Sequence, residues 1–265
     1  MAKQTKTTTQ KQISQKTTIL SPFSQKAKFE GDIKTFLNRY KTVVISQSKR
    51  LSDYFEMNCF NLIVRYYLNN GYSTKVMNLQ NKKYRYKCSP AGLISNFSFF
   101  TISKTVGTKM YEFEILHNLA VQSSHCSETF TTPDIVVVKA ESSKIKTDYY
   151  DTKRALCYVE NKDLVTFCEV KMFVPFPELL FNFIGVLNEL RKEVISNKSR
   201  TLKPIHLAPS LMISGKANKP AQRIIDNLQD RYCINVICDL HNSGLNTFNK
   251  QNVKKLRQTG KLPSA

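Results

Sequence analysis

Two apolar stretches that contain charged residues decide the fold: PDIVVV at Pro133–Val138 and LVTFCEVKMFV at Leu164–Val174. Each stretch is apolar enough to form a buried strand, so an acid opens one strand while an acid and a lysine lie inside the other. Side chains at positions i and i+2 of a strand point to the same face, so Glu169 and Lys171 project together. If the two strands pair, Asp134 lies beside them.

These three charged side chains have the chemistry of a metal-assisted phosphate site. The carboxylates of Asp134 and Glu169 offer the hard oxygen ligands that Mg²⁺ or Mn²⁺ prefers. A lysine next to such a site can orient and stabilise an attacking hydroxide or a phosphate oxygen. An ordinary exposed strand pair is the alternative, but the flanking apolar runs make charged residues costly here without a purpose.

Charge is the unusual feature of the composition. Forty Lys and Arg residues against twenty Asp and Glu leave a formal net charge of +20 on 265 residues. This excess favours a polyanionic partner, either nucleic acid or an acidic membrane surface. The absence of an 18-residue apolar run argues against a transmembrane helix, and Met1–Thr18 lacks the apolar segment of a secretory signal. We therefore expect an intracellular protein with reduced cysteines.

The chain divides into three predicted regions. Residues 1–28 contain no acid and are expected to form a flexible basic arm, and residues 241–265 form a basic C-terminal tail that also lacks acids. Either tail could solubilise the chain or contact phosphates non-specifically. Between them, residues 29–240 form the predicted core, with an insertion at about 72–107.

Helical and strand patterns alternate through this core. Helical spacing of apolar residues predicts helices over Leu51–Asn70, Pro177–Val194 and Pro220–Arg231, with a further short helix expected at Asp32–Val44. Strands are predicted at Ser73–Leu79 and Lys83–Lys87, which could pair with each other, and at Gly92–Ser103, Met110–Ser123, Asp134–Lys139, Ala155–Glu160, Leu164–Val174, Ile205–Ser214 and Cys233–Leu240. The predicted fold is α/β, with a mixed central β-sheet flanked by helices.

In this order the elements resemble the core of the PD-(D/E)xK nuclease superfamily, which has the restriction-endonuclease-like fold. The resemblance runs from about Leu51 to Leu240 and consists of a helix bearing a Glu, a strand, Pro-Asp opening a second strand, Glu-x-Lys on a third, and a following amphipathic helix. It implies a divalent-metal-dependent endonuclease that acts on DNA, with Mg²⁺ or Mn²⁺ as the cofactor. It also implies that Asp134 and Glu169 bind the metal and that Lys171 positions or activates the nucleophilic water.

A third acid from the first helix is common in this superfamily, and Glu56 is the candidate for that catalytic and metal-binding role. An acid in an early turn also stabilises a helix through its dipole, so the structural alternative stays open. Glu112 would replace Glu56 if Met110–Ser123 were helical, although the alternation there favours a strand. His117 and His125 could contact phosphate or act as a general base, but a strand-surface histidine and a loop histidine are the favoured interpretations.

Cations and aromatics alternate over residues 82–87, with Lys83, Arg85 and Lys87 facing one way on a strand and two tyrosines the other. This pattern suits contact with a DNA backbone, and it equally suits an amphipathic edge strand protected by lysines. The candidate nucleic-acid-binding residues are Lys82, Lys83, Arg85, Lys87 and Lys216.

The expected partner is DNA, and no membrane partner is expected because the chain lacks a clear cationic amphipathic helix. Cutting both strands of a duplex requires two sites, so a homodimer or partner subunits in a nucleoprotein complex are also expected. The alternative function is a non-catalytic nucleic-acid-binding assembly protein. Defence, recombination or transposition, and repair remain equally open, because a fold does not specify a biological role.

Overall fold

The computed structural model describes residues 43–44, 51–152, 154–196, 204–240 and 246–259. The predicted basic arm at 1–28 therefore lies outside the described residues. So does the helix expected at Asp32–Val44, except for Val43–Val44, which form a short strand, β1.

Three α-helices occur within the described ranges: α1 at Leu51–Asn69, α2 at Pro177–Ile195 and α3 at Lys219–Arg231. The remaining strands are β2 Ser73–Met77, β3 Lys83–Tyr84, β4 Phe99–Val106, β5 Lys109–His117, β6 Ala120–Gln122, β7 Phe130–Thr131, β8 Ile135–Lys139, β9 Ser143–Lys146, β10 Leu156–Val159, β11 Leu164–Lys171, β12 Ser210–Ile213 and β13 Asn235–Ile237. Short 3-10 helices lie at Ile94–Asn96, Asn161–Asp163 and Asn252–Lys255.

The central sheet has seven strands in the order β13-β12-β11-β8-β5-β4-β2. β11, β12 and β13 are parallel, while β8, β5, β4 and β2 alternate in direction. This arrangement confirms the predicted α/β class with a mixed central sheet. Among the described residues, no helix combines the length and the apolar character that crossing a bilayer requires.

The two faces of the sheet carry separate apolar cores. α1 packs on one face, where Phe60 and Ile63 join the cluster that contains Val137 and Val170. α2 and α3 cover the other face, where the cluster contains Val136 and Phe167. Because both faces are covered, β8 and most of β11 are buried and read as nearly continuous apolar runs. Each large side chain buried this way contributes about 1.5–3 kcal/mol to folding.

A second sheet of four strands, in the order β7-β6-β10-β9, branches from the first. The strand predicted over Met110–Ser123 is divided between the two sheets at Asn118, whose φ is +50°. Asparagine tolerates this left-handed conformation better than most residues, so the chain turns there without a glycine. The sequence conceals the turn because the residues on either side are strand formers.

The structure pairs two of the predicted strands with other partners than their proximity in the sequence suggested. β2 pairs with β4 rather than with residues 83–87, and β3 pairs in parallel with β1. The interval 72–107, predicted as an insertion, therefore supplies β2 and β4 to the edge of the central sheet. Part of the basic C-terminal tail is also built into the fold, because Phe248 and Val253 are buried and the backbone amide of Arg257 donates to Asn235 Oδ1 at 2.8 Å.

Candidate active site

The residues of the candidate site lie together at the end of the central sheet where β11 and β12 finish. β11 and β12 both end there and lead into α2 and α3. β8 runs antiparallel to β11 with Ile135 opposite Cys168, so Asp134 falls beside the end of β11. The topology thus brings together two motifs that are separated by 35 positions along the chain (169 minus 134).

The three residues predicted from the motifs meet at this edge. Lys171 Nζ lies 3.0 Å from Asp134 Oδ2 and 2.7 Å from Glu169 Oε2, so one ammonium group bridges two carboxylates. The backbone amide of Val170 also donates to Asp134 Oδ2 at 2.6 Å, which fixes the orientation of that carboxylate. The lysine side chain is 32% exposed, whereas those of Asp134 and Glu169 are 14% and 10% exposed. The site is therefore open to a ligand on the lysine side.

The electrostatics of the group follow from this geometry. Burial, and then the nearby charge of Asp134, raise the pKa of Glu169 to about 7 against the attraction of Lys171, which acts in the opposite direction. Burial acts to lower the pKa of Lys171, but the charges of Asp134 and Glu169 outweigh it and raise that pKa above its usual range. Lys171 is thus a cation at neutral pH, while Glu169 can release its proton when another positive charge binds beside it.

The donor set fits a hard divalent cation. Mg²⁺ is commonly bound through one or two carboxylates and keeps water or substrate phosphate as its other ligands, so Asp134 and Glu169 are sufficient. Among the described residues, no cluster of three or more His, Cys, Asp or Glu side chains forms a complete metal cage. The fit therefore depends on this pair of acids, whose mutual repulsion a cation would relieve.

Glu56 does not join these acids in one cluster. Glu169 and Lys171 alternate along β11 with Cys168 and Val170, which belong to the core on the α1 face, so the charged pair points to the opposite face. Glu56 lies on α1, and its Oε2 is 3.6 Å from His117 Nε2. The structure thus gives Glu56 a histidine partner that the sequence pattern did not predict.

His117 is enclosed rather than at a strand surface, so the favoured interpretation from the sequence is wrong. The residue is only 4% exposed, its ring packs near those of Phe60 and Tyr86, and neither ring nitrogen forms a hydrogen bond within the described residues. The sequence feature that indicated burial of His117 was its alternation with Phe113 and Ile115, which share its face of β5. His125 is exposed in a loop, as expected, with Nε2 3.0 Å from the Asn188 carbonyl oxygen.

Glu112 lies far from the candidate site. The segment is a strand, as the alternation predicted, and Glu112 is exposed near its beginning. The Asn118 amide donates to the Asp134 carbonyl at the other end, so the six intervening residue steps separate Glu112 from the site by about 20 Å. Neither acid weighed for the third position joins Asp134 and Glu169 in one cluster, because Glu112 lies near the start of β5 and Glu56 lies beside His117.

The five candidate nucleic-acid-binding cations do not share one surface. Lys82 and Lys83 are exposed, whereas Arg85 is half-buried, donates to Gln80 Oε1 at 2.5 Å and lies over the Phe97 ring. Lys87 is only 3% exposed, so its predicted contact with DNA is wrong.

Lys87 instead holds the backbone beside the candidate site. Its ammonium donates to the carbonyl oxygens of Ser89, Pro90 and Asn118 at 2.9, 2.7 and 2.5 Å. Asn118 Nδ2 donates back to the Lys87 carbonyl at 2.8 Å, and the Asn118 amide donates to the Asp134 carbonyl at 2.9 Å. The strand found here is only Lys83–Tyr84, and alternation along the predicted strand could not show that the chain covers the charged end of Lys87.

Lys216 is exposed at the same edge as Lys171. The preceding Gly215 allows this placement, because a Cβ atom there would lie 2.6 Å from the carbonyl oxygen of Phe173. The amides of Ser214 and Gly215 donate to the carbonyl oxygens of Lys171 and Phe173 at 3.2 and 3.0 Å, which ties the two loops together.

Comparison with protein families, curated proteins and solved structures finds no significant match to this chain. The assignment of a function therefore depends on the residues and geometry described above.

Proposed function

We propose that the protein is a divalent-metal-dependent endonuclease that hydrolyses phosphodiester bonds of DNA. The observation that carries this proposal is the convergence of Asp134 and Glu169 on the ammonium group of Lys171 at an open sheet edge. Order along the chain, with a Pro-Asp strand followed by a Glu-x-Lys strand and a helix, supports the PD-(D/E)xK nuclease core as the family of origin.

Mg²⁺ or Mn²⁺ bound by the two carboxylates would supply Lewis-acid stabilisation of the charge that builds on the phosphate during attack. Asp134 is held ready for this role by two donors, the Val170 amide and Lys171. Glu169 presents Oε2 from the same edge and must lose its proton before it can bind a cation.

Lys171 is placed to act on the water or the phosphate. An ammonium group has three N–H donors, and two of them are directed at the Asp134 and Glu169 oxygens. The third is available on the exposed side for a nucleophilic water or a non-bridging phosphate oxygen. Because the pKa of Lys171 is raised, it acts as a cation that orients and stabilises rather than as a proton acceptor.

DNA binding by backbone phosphates is consistent with the net charge of +20 and with exposed Lys216 beside the site. Such binding should weaken steeply as salt concentration rises, because counterions are released from the phosphates. Cutting of both strands would need a second copy of the site, supplied by a homodimer or by partner subunits.

The test is cleavage of supercoiled plasmid DNA by the purified chain with Mg²⁺, followed by arrest with EDTA. Lys171→Met and Asp134→Asn should each reduce cutting by about 100-fold or more, while DNA affinity measured in EDTA stays within a few-fold of the parent. Lys162→Met is the matched control, because that lysine is 70% exposed and precedes the opposite end of β11.

Cutting by Lys171→Met at the parental rate would show that the site is wrongly assigned. Salt-sensitive binding without metal-dependent cutting of duplex, junction or single-stranded DNA would instead select the alternative function, a non-catalytic nucleic-acid-binding assembly protein.

A further inference from the structure

An exposed apolar segment follows Lys171 directly. Phe173, Val174 and Phe176 lie between β11 and α2 and are 57%, 55% and 43% exposed. The rings of Phe173 and Phe176 meet edge to face, with centroids 6.5 Å apart. We call these three residues the aromatic tip. Large apolar side chains grouped on a surface commonly mark a place where a ligand or partner binds.

The backbone of the aromatic tip is held in place rather than free to fold back on the core. Gly215 packs directly against it, since an added Cβ would lie 2.6 Å from the Phe173 carbonyl oxygen and 2.8 Å from Val174 Cα. The Gly215 amide donates to that same oxygen at 3.0 Å. On the other side, the Leu180 amide donates to the Phe176 carbonyl at 3.2 Å as α2 begins. The exposure of the rings is therefore built into the loop.

Three lysines lie near the aromatic tip. Lys171 precedes it by two residues, which can span at most about 7 Å, and exposed Lys216 follows the glycine that packs against it. Lys219 opens α3 at the same edge and is also exposed. Aromatic faces next to cations are the combination that binds unstacked bases, because the cations hold the phosphates while the rings stack on the bases. A purely apolar protein partner would have no use for these cations.

We infer that the aromatic tip stacks on an unpaired base next to the phosphate held at Lys171. The substrate class is then DNA with unpaired nucleotides at the cut, such as a gap, a flap or a single-stranded junction, rather than continuous duplex. This inference rests on the proposed nuclease function for the role of Lys171, but base stacking can be measured without cleavage.

The experiment uses the full chain in EDTA, so that no cutting occurs, with oligonucleotides that carry 2-aminopurine at the unpaired position of a flap or within a continuous duplex. The parent should bind the flap more tightly than the duplex and quench 2-aminopurine fluorescence in the flap. The double variant Phe173→Ala with Phe176→Ala should lose roughly 5- to 100-fold in flap affinity, together with the quenching. Its duplex affinity should change less than twofold.

Phe181→Ala provides the matched control, because Phe181 is 53% exposed on α2 but lies outside the aromatic tip. With Mg²⁺ added, the double variant should cut the flap more slowly by a similar factor, whereas Phe181→Ala should cut it at the parental rate. Circular dichroism of the double variant should match the parent, because the replaced rings are exposed.

Three results would overturn the inference. The parent could bind flap and duplex equally well, the double variant could retain full quenching, or sedimentation could show that the double variant loses a dimer that the parent forms, which would make the aromatic tip an interface between copies of this chain. The two proposals fail separately. Ring-dependent quenching without any metal-dependent cutting would leave base stacking intact and refute the nuclease, whereas flap cutting and quenching that do not depend on the rings would support the nuclease and refute base stacking.

Discussion

Lys87 and Lys171 both lie close to the candidate site, yet the protein holds their ammonium groups in opposite ways. Lys171 lies between two carboxylates, and its pKa is raised above the usual range. Lys87 touches three carbonyl oxygens, and within the described residues no carboxylate forms an ion pair with it. Burial therefore lowers the pKa of Lys87 to about 8.

The difference shows that the partners of a buried lysine, more than its burial, decide what it can do. Full charges at Asp134 and Glu169 keep Lys171 cationic and leave it one donor for a ligand. Carbonyl dipoles satisfy Lys87 but compensate its charge only weakly, so that residue serves as a clasp on the backbone of Asn118. Lys171 contacts the Asp134 carboxylate directly, whereas Lys87 contacts only Asn118, whose amide donates to the Asp134 carbonyl.

The largest expected effect is on stability, at the Lys87 clasp. Lys87→Met keeps much of the side-chain volume but leaves three carbonyl oxygens without their donor, so the free energy of unfolding should fall by about 2–4 kcal/mol. Urea denaturation measures this change. Lys83→Met, at an exposed position four residues earlier, should stay within about 0.5 kcal/mol of the parent. A loss below about 1 kcal/mol for Lys87→Met would mean that the clasp is dispensable.

The next prediction concerns the pH dependence of stability at acidic pH, which the acids around Lys171 produce and the carbonyl oxygens around Lys87 do not. The folded-state pKa of Glu169 is raised from 4.5 to about 7, so between these values the folded protein keeps a proton that the unfolded chain has released. Without metal, the free energy of unfolding should therefore fall as pH rises from 4.5 through about 7, by at most about 1.4 kcal/mol per pH unit.

Denaturation in EDTA at pH 5, 6, 7 and 8 tests this slope. Glu169→Gln should flatten it, because the amide cannot titrate. Lys171→Met should move the fall to higher pH, since the ammonium group acts to lower the Glu169 pKa. An unchanged slope in Glu169→Gln would assign the pH dependence to another group.

Binding of Mg²⁺ or Mn²⁺ should displace the proton of Glu169, so the metal affinity should depend on pH. Because Glu169 must be ionised to act as a ligand, metal affinity should drop by up to about tenfold for each pH unit below 7. Calorimetric titration with MnCl₂ at pH 6 and 7.5 measures the difference. In Glu169→Gln the affinity should be weak at both values and independent of pH, and a pH-dependent affinity there would contradict the assignment of Glu169.

The last prediction concerns the proton on Lys87, whose window lies above the physiological pH range. Its folded-state pKa of about 8 lies below the ordinary value of 10.5, so between these values the unfolded chain binds a proton that the folded protein has released. The free energy of unfolding should consequently rise with pH across this window, by at most about 1.4 kcal/mol per pH unit, and Lys87→Met should lose that rise. Side-chain NMR of Lys87 checks it directly, and a transition near 10.5 would show that the ammonium is better compensated than its partners suggest.

Some elements were predictable because their signal is local. Five apolar residues at helical spacing located α1, and unbroken apolar runs located β8 and β11 within a few residues. The motif acids and lysine were predictable for the same reason, since i and i+2 positions of a strand share a face whatever the strand pairs with.

The errors arose where distant residues decide the outcome. Strand pairing is set by tertiary neighbours, so the proximity of Ser73–Leu79 to Lys83–Lys87 in sequence gave the wrong partners. Lys87 and His117 were placed near the surface because alternation reports which way a side chain points and not what covers its end. The burial of Phe248 and Val253 in the C-terminal tail likewise depends on packing against distant residues, which the charge of the tail does not report.

The amino-acid sequence by itself determined the α/β class, the two buried strands and the pairing of Glu169 with Lys171 on one face, because these depend on backbone periodicity and local burial. Only the tertiary structure decided that Asp134 reaches the same ammonium group, that Glu56 faces His117 instead, and that Lys87 is a clasp. Those outcomes depend on strand order and on which layer covers each face, and both are set by contacts between residues that are far apart in the chain.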